Sequence, residues 1–486
     1  MCARSNRLLF QRRLGDVLLL VVFAVVTGMV TGFAFGGSRP QPAGPQADGK
    51  AALLAANLDF REIVRQAKSK VFPAVVYLKV LRQSMESGRA RTEEVGGSGV
   101  VISEAGELLT NWHVVDRAVE IRCLLSDGRA FKATLVASDR DLDLALVRLV
   151  LDGKHEPIPT AELGTSGDLV EGDFVMAMGA PWGLNRSVSV GIVSCTRRFL
   201  PDSSEYSLWL QTDAAISPGN SGGPLVDTRG RVIGINTLGR MGGGDMGFAI
   251  PADTIRDVLD RMRTKGEVGW SWSGLSLQPL RDFDRDVYFE GTEGTIVAGV
   301  EAGSPAEAAG LRSRDRVLSI AGVATNGLTS EDLPNIRRHL ALLPPDAPVD
   351  VVFERSSAAG MERSTVAMTP ARKGQVQGDE VDAPRWGLTV KAINRFENPE
   401  LHRVRSEGVF IFGVREPGNA MAAGLMRNDI LLEIDGQPLT TLDDVKKAHE
   451  RTLANLPDKR RLLVKLVRAG QMRQIVLDIS RDYERE

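Results

Sequence analysis

The chain has 486 residues, 43% apolar and 25% charged, with a formal net charge of −2 at pH 7. This is a globular composition, long enough for three folded domains and a leader. A charge so near zero gives no reason to expect a nucleic-acid partner, and no long basic run follows the N-terminus. At the start, Arg4, Arg7, Arg12 and Arg13 precede Val17–Phe35, a run of 19 residues without a charge. That is long for a cleaved signal and just long enough to cross a bilayer as a helix. The basic flank predicts the N-terminus inside and the body outside. Residues 1–52 are therefore expected to be a cytoplasmic tail, a transmembrane signal anchor and a Pro/Gly/Ala spacer. A leader cleaved near Ala34-Phe35-Gly36, which would release the body from the membrane, is the alternative.

From 53 to 266 the pattern is of short Val/Ile/Leu runs separated by Gly, Pro, Asp and Asn. Ala74–Val80, Gly99–Ile102, Glu120–Leu124, Asp173–Met178, Ser187–Ser194 and Arg231–Ile235 read as strands, which suits an all-β barrel domain. Of the five histidines, His113 stands out. It ends the apolar run Leu108-Leu109-Thr110-Asn111-Trp112-His113 and precedes a short helical turn. His155, His339, His402 and His449 read as surface or structural residues. A carboxylate that orients an imidazole belongs beside a buried strand. Asp143, immediately before Leu144–Val147, fits best, with Asp139 and Asp141 as competitors.

Ser221 lies in Ser217-Pro218-Gly219-Asn220-Ser221-Gly222-Gly223-Pro224. The glycines allow a tight turn that can aim the N–H groups of Gly219 and Ser221 at one point, as an oxyanion hole requires. A serine hydroxyl becomes a useful nucleophile only with such donors and an adjacent base. The order His113, Asp143, Ser221 is that of the chymotrypsin-like double barrel. Cys123 and Cys195 fall on or beside strands here. Free thiols are expected, although the pair could bridge in an oxidising compartment. No His/Cys spacing resembles a metal site, and no cofactor is called for.

With these motifs in place, the segment resembles HtrA-type (Deg-type) serine proteases. The resemblance is carried by Gly96-Gly97-Ser98-Gly99-Val100-Val101-Ile102, Thr110–Val115, Asp143–Leu146, Gly179-Ala180-Pro181-Trp182-Gly183-Leu184, Gln211–Pro224 and Gly247-Phe248-Ala249-Ile250-Pro251. It implies Ser221 as nucleophile, His113 as general base and Asp143 as its orienter. It also implies assembly as trimers or multiples of trimers, and ATP-independent cleavage of unfolded or damaged proteins in envelope quality control. The short, charged stretch between Val80 and Gly96 favours a peptide-gated sensor over a large cage. A peptide-binding chaperone or scaffold with secondary proteolysis is the alternative function.

A helix-like stretch, Pro251–Gly266, closes the barrel domain. Residues 293–322 then align without gaps on 407–436, with 13 of 30 positions identical. A period this long means tandem domains. Each unit resembles a PDZ domain, a small α+β module that binds an extended peptide as an added strand and captures its terminal carboxylate in a backbone nest. The carboxylate loops would be Ser273-Gly274-Leu275 in the module spanning 267–372 and Trp386-Gly387-Leu388 in the module spanning 385–486. Ser273 departs from the apolar residue usual there. Residues 373–384, poor in large apolar groups, read as a flexible linker. The fold class is thus mainly β: a chymotrypsin-like double β-barrel followed by two PDZ-like domains, with an N-terminal transmembrane helix.

Overall fold

Short Val/Ile/Leu runs broken by Gly, Asp and Asn form strands that close on themselves twice. The computed structural model describes residues 60–486 apart from 152, 154–155, 182–185, 202, 238–245, 284–290, 359, 375, 457 and 484–486. The tail, anchor and spacer lie outside the described residues, as do His155 and the Trp182-Gly183-Leu184 part of one motif. Among the described residues no helix is long and apolar enough to cross a membrane.

Helix α1 (Phe60–Val71) leads into the first barrel. This barrel comprises β1 (Val75–Ser84), β2 (Arg91–Val101), β3 (Glu107–Thr110), β4 (Ala118–Leu124), β5 (Ala130–Asp139) and β6 (Leu144–Leu149), with helix α2 (Trp112–Val115) between β3 and β4. The second barrel has β7 (Phe174–Gly179), β8 (Ser187–Arg198), β9 (Trp209–Thr212), β10 (Pro224–Asp227), β11 (Val232–Asn236) and β12 (Gly247–Pro251). The strand orders are β1-β2-β3-β6-β5-β4 and β10-β11-β12-β9-β8-β7, both closed, so neither barrel leaves an edge. Helix α3 (Ala252–Lys265) buries Ile255, Val258, Leu259 and Met262, a 3–4 residue spacing that gives one apolar face. It ends at Gly266, whose φ of 70° stops it.

Two modules of the same build follow. The first holds β13 (Ser271–Trp272), β14 (Leu275–Gln278), β15 (Thr295–Val300), α4 (Pro305–Ala308), β16 (Arg316–Ile320), β17 (Val323–Ala324), α5 (Leu333–Leu342), β18 (Val349–Ser357), β19 (Gly360–Met368) and β20 (Ala371–Arg372). The second holds β21 (Glu380–Ala383), β22 (Leu388–Ala392), α6 (Pro399–Val404), β23 (Val409–Val414), α7 (Asn419–Ala422), β24 (Ile430–Ile434), β25 (Gln437–Pro438), α8 (Leu442–Ala454), β26 (Arg461–Arg468) and β27 (Gln471–Asp478). The main sheets run β14-β15-β16-β18-β19 and β21-β22-β23-β24-β26-β27. The second is the first with one extra strand, β21, on its edge.

The segment 373–384 departs from the flexible linker expected of it. Glu380–Ala383 is strand, paired antiparallel with β22. Lys373 donates to Asp141 at 2.6 Å and to the Tyr206 hydroxyl at 3.2 Å. Gln377 donates to Asp116 at 3.1 Å. The low apolar content that suggested a free connector instead reflects a segment held to both barrels by polar contacts. The first module is also docked: Arg338 pairs with Asp257 of α3 at 3.2 Å, and Arg261 of α3 donates to the Leu342 carbonyl at 2.6 Å.

Candidate active site

β3 carries the chain to Asn111, and α2 then turns His113 toward the loop between β5 and β6. In that loop Asp143 has a φ of 53°, a left-handed conformation that Asp tolerates better than most residues. The turn is pinned from both sides: Trp112 N–H and the Asn111 amide donate to the Asp143 carbonyl at 3.1 and 3.0 Å. The Asp143 carboxylate thus sits against α2. It accepts His113 N–H at 3.1 Å, and its two oxygens each lie 2.9 Å from His113 Nδ1. A carboxylate can only accept, so Nδ1 carries the proton and the lone pair is left on Nε2. The Thr237 hydroxyl donates to Asp143 Oδ2 at 2.7 Å. Nothing in the sequence singled out Thr237, because its role depends on β11 delivering it from the other barrel.

The competing aspartates have other partners. Asp139 accepts the Leu142 N–H at 2.9 Å and the Trp270 indole N–H at 2.6 Å. Burial, reinforced by the Asp141 charge, pushes its carboxyl up to about 7. Asp141 pairs with Lys373.

Ser221 lies on the turn between β9 and β10 and is buried. Its carbonyl accepts Ser98 N–H at 2.8 Å. The Ser98 hydroxyl donates to the Gly219 carbonyl at 2.5 Å and accepts Ala180 N–H at 2.8 Å. Ser98 thereby fixes the turn from the first barrel. Gly222 (φ 84°) donates to the Asn236 carbonyl at 2.9 Å. A Cβ there would stand 2.1 Å from the Ser98 carbonyl oxygen and 2.3 Å from Thr110 Oγ1, so only glycine fits. Asn236 donates its amide to the Met178 and Pro224 carbonyls at 3.1 and 3.0 Å, tying the turn to β7 and β10.

Among the described residues, neither Gly219 N–H nor Ser221 N–H has a protein acceptor, and no hydrogen bond joins Ser221 Oγ to His113. Unligated enzymes often tighten that last contact only when substrate is bound. The arrangement offers a serine, a base oriented through a carboxylate, and two N–H donors on one turn, the parts required for acyl transfer.

Cys123 is buried, which pushes its thiol up to about 12, and it is free, as is Cys195. The candidate carboxylate loops differ from each other. In the first module, Ser273 and Gly274 N–H have no protein acceptor among the described residues, while Leu275 N–H donates to Ser273 Oγ at 3.2 Å. In the second, Trp386 and Gly387 N–H both donate to the Ala383 carbonyl at 3.0 Å. The Gly274 and Gly387 carbonyls match, accepting Glu301 and Arg415 N–H respectively, each at 2.9 Å.

A trypsin-like peptidase domain model matches residues 97–235, and a PDZ domain model matches 296–355. A probable periplasmic serine endoprotease DegP-like from Halomonas elongata is 35% identical over 391 residues, covering 79% of this chain and 79% of the relative. One from Pseudomonas savastanoi pv. phaseolicola is 34% identical over 402 residues, covering 81% and 80%. Among solved structures, the HtrA-type protease AlgW with a tripeptide superposes with a TM-score of 0.56 at 33% identity, covering 64% of this chain and 97% of that one. The same protease with a decapeptide gives 0.53 at 30% identity, covering 64% and 99%.

Proposed function

We infer the working of this chain from the family it belongs to, the HtrA-type, DegP-like serine endoproteases, and from the parts gathered around Ser221. The chain is a serine endopeptidase. The observation that carries the mechanism is His113 Nδ1 held 2.9 Å from Asp143, which leaves the Nε2 lone pair free to take a proton. In the proposed cycle, His113 Nε2 takes the Ser221 proton as Oγ attacks the peptide carbonyl carbon. Gly219 and Ser221 N–H hold the resulting oxyanion. The imidazolium, stabilised by Asp143, then protonates the leaving amine. Water, deprotonated by the same nitrogen, releases the acyl group from Ser221.

The substrates are unfolded or damaged polypeptides, cleaved without ATP in the periplasm. Two features support this reading: relatives named as periplasmic endoproteases, and a body carrying, beside its protease barrels, a PDZ domain and a second module of the same build. The domain limits are 53–266 for the protease and 267–372 for the first module, with 373–379 leading to a second module whose sheet begins at Glu380. The apolar run Val17–Phe35 anchors the body to the inner membrane, and the protease assembles as trimers. Peptide C-termini bind at Ser273-Gly274-Leu275 and Trp386-Gly387-Leu388 and regulate cleavage.

The test is casein digestion by the form lacking residues 1–38, wild type against Ser221→Ala, with the mass of each measured in solution. Cleavage by wild type only, from a particle of three chains or a multiple, is the expected result. Equal cleavage by the two proteins overturns Ser221 as nucleophile, and a monomer overturns the trimer.

A further inference from the structure

In a PDZ-type module an incoming peptide adds to the free edge of the strand that follows the carboxylate loop, between that strand and the long helix. In the first module this is the outer edge of β14, which ends its sheet. One guanidinium, that of Arg337 on α5, reaches it and donates to the Leu277 carbonyl at 3.2 Å. In the second module the equivalent edge, on β22, is already taken. Glu380, Val381, Asp382 and Ala383 pair antiparallel with Lys391, Val390, Thr389 and Leu388.

The match to a ligand extends to the side chains. Val381 and Ala383 are 6% and 0% exposed and share a core cluster with Val445 and Ala448 of α8. Alternate residues of a strand face one way, so these two fill the positions that the last residue of a bound peptide, and the residue two before it, would fill. The Ala383 carbonyl accepts the Trp386 and Gly387 N–H groups. The matching N–H groups of Ser273 and Gly274 in the first module have no protein acceptor among the described residues. Beyond Glu380 the site continues as an open depression of about 760 Å³, bounded by Ala392, Ile393, Thr441 and Lys446.

The occupying strand is tied to the protease. Glu380 pairs with Arg117 at 2.5 Å and with the fully buried Lys391 at 3.1 Å. Arg117 lies two residues beyond the helix that carries His113. Asp382 accepts Ala90 N–H at 2.8 Å, and Thr389 donates to the Met85 carbonyl at 2.7 Å, both from the loop between β1 and β2.

We propose that Glu380–Ala383 is a ligand of the second module supplied by its own chain, and that a peptide with a free C-terminal carboxylate, a small apolar last residue and a β-branched residue two before it displaces this strand and frees Glu380 from Arg117. The proposal rests on reading the second module as peptide-binding. A site closed in a fraction of molecules lowers apparent affinity by that fraction, so weakening the internal strand tightens binding of an external one.

The probe is a synthetic, fluorescently labelled octapeptide with the sequence of residues 376–383, as free acid and as C-terminal amide, titrated into the folded protein with and without Val381→Asp. Hydrogen exchange of 388–392 is followed in parallel. The expected result is binding about tenfold tighter to the variant, by the acid only. In the variant the N–H groups of 388–392 that face the internal strand exchange fast alone and slowly with peptide. Equal affinity for wild type and variant, or equal binding of acid and amide, overturns the proposal. If Val381→Asp also loses protection in β26 and β27, Glu380→Gln replaces it, with tighter binding still expected and unchanged binding overturning the proposal. Should 388–392 become exposed in the variant and still bind no peptide, the peptide-binding reading of the module fails. Should 388–392 stay protected in the variant, the displaceable strand fails while that reading stands.

Discussion

At the scale of single residues, the parts around Ser221 are held by contacts that cross between barrels, and two of them give sharp predictions. Thr237 comes from the second barrel to donate to Asp143 of the first at 2.7 Å. A hydrogen bond to a charged group contributes about 1.5–3 kcal/mol. Thr237→Val keeps the shape and removes the donor, so kcat for a small peptide substrate is expected to fall roughly tenfold to a hundredfold with KM little changed. A value within twofold of wild type would show that the hydroxyl does not act on the triad. Gly222→Ala is harsher: a Cβ on a φ of 84° would sit 2.1 Å from the Ser98 carbonyl. Strain and overlap together are expected to cost on the order of 2–4 kcal/mol and to abolish casein cleavage. Denaturant unfolding and activity assays on one preparation check both.

At the scale of elements, what the sequence disclosed depended on whether the signal was local. The helix expected between Pro251 and Gly266 is α3, because its apolar spacing and its glycine stop lie within one segment. The internal repeat was equally legible. Asp315 and Asp429 recur because each buried carboxylate is held by an arginine, Arg355 and Arg468, with Nε at 2.6 Å in both modules. Strand β21 was not legible. Its four residues carry only two apolar side chains, and what makes them a strand is the free edge of β22, which the sequence does not display. Thr237 and Ser98 gain their contacts in the same non-local way.

Helix α8 adds a pH prediction at this scale. His449 accepts Arg385 N–H through Nε2 at 3.3 Å and lies edge-on to Trp386 at 5.2 Å, so in its neutral form it holds the turn that leads into β22. Burial pushes its pKa below the ordinary 6.5. Between that lowered value and 6.5 the unfolded state binds the proton more readily than the folded one, so this group's contribution is complete above pH 6.5 and is lost as pH falls. Thermal melting of the second module is expected to drop from pH 7.5 to 5.5 more steeply in wild type than in His449→Gln. Equal slopes would show that the ring does not titrate with the loop.

At the scale of the whole molecule, the acidic turn from 139 to 143 joins the parts. Asp143 accepts from His113, Asp141 holds Lys373 of the link, and Asp139 holds Trp270 where the chain leaves α3 for the first module. Trp270 also stacks on Tyr206 of the second barrel at 4.8 Å. A displacement of either module therefore pulls on residues two or four positions from Asp143. Asp139 makes this junction sensitive to pH in the direction opposite to His449. Its carboxyl is raised from 3.8 to about 7 by burial first and then by the Asp141 charge. Across that window the folded protein holds a proton that the unfolded chain has released, so stability falls as pH rises from about 4 to about 7, by at most on the order of 1 kcal/mol per pH unit. Asp139→Asn cannot release that proton. It also turns an amide N–H toward one of two donors, which lowers stability by an amount that does not vary with pH. The discriminating quantity is therefore the slope. Unfolding free energy measured from pH 4 to 7 in His449→Gln should decline by more than in His449→Gln with Asp139→Asn. Parallel curves would mean that Asp139 stays ionised across the range and that the junction is held by a full charge on the Trp270 indole.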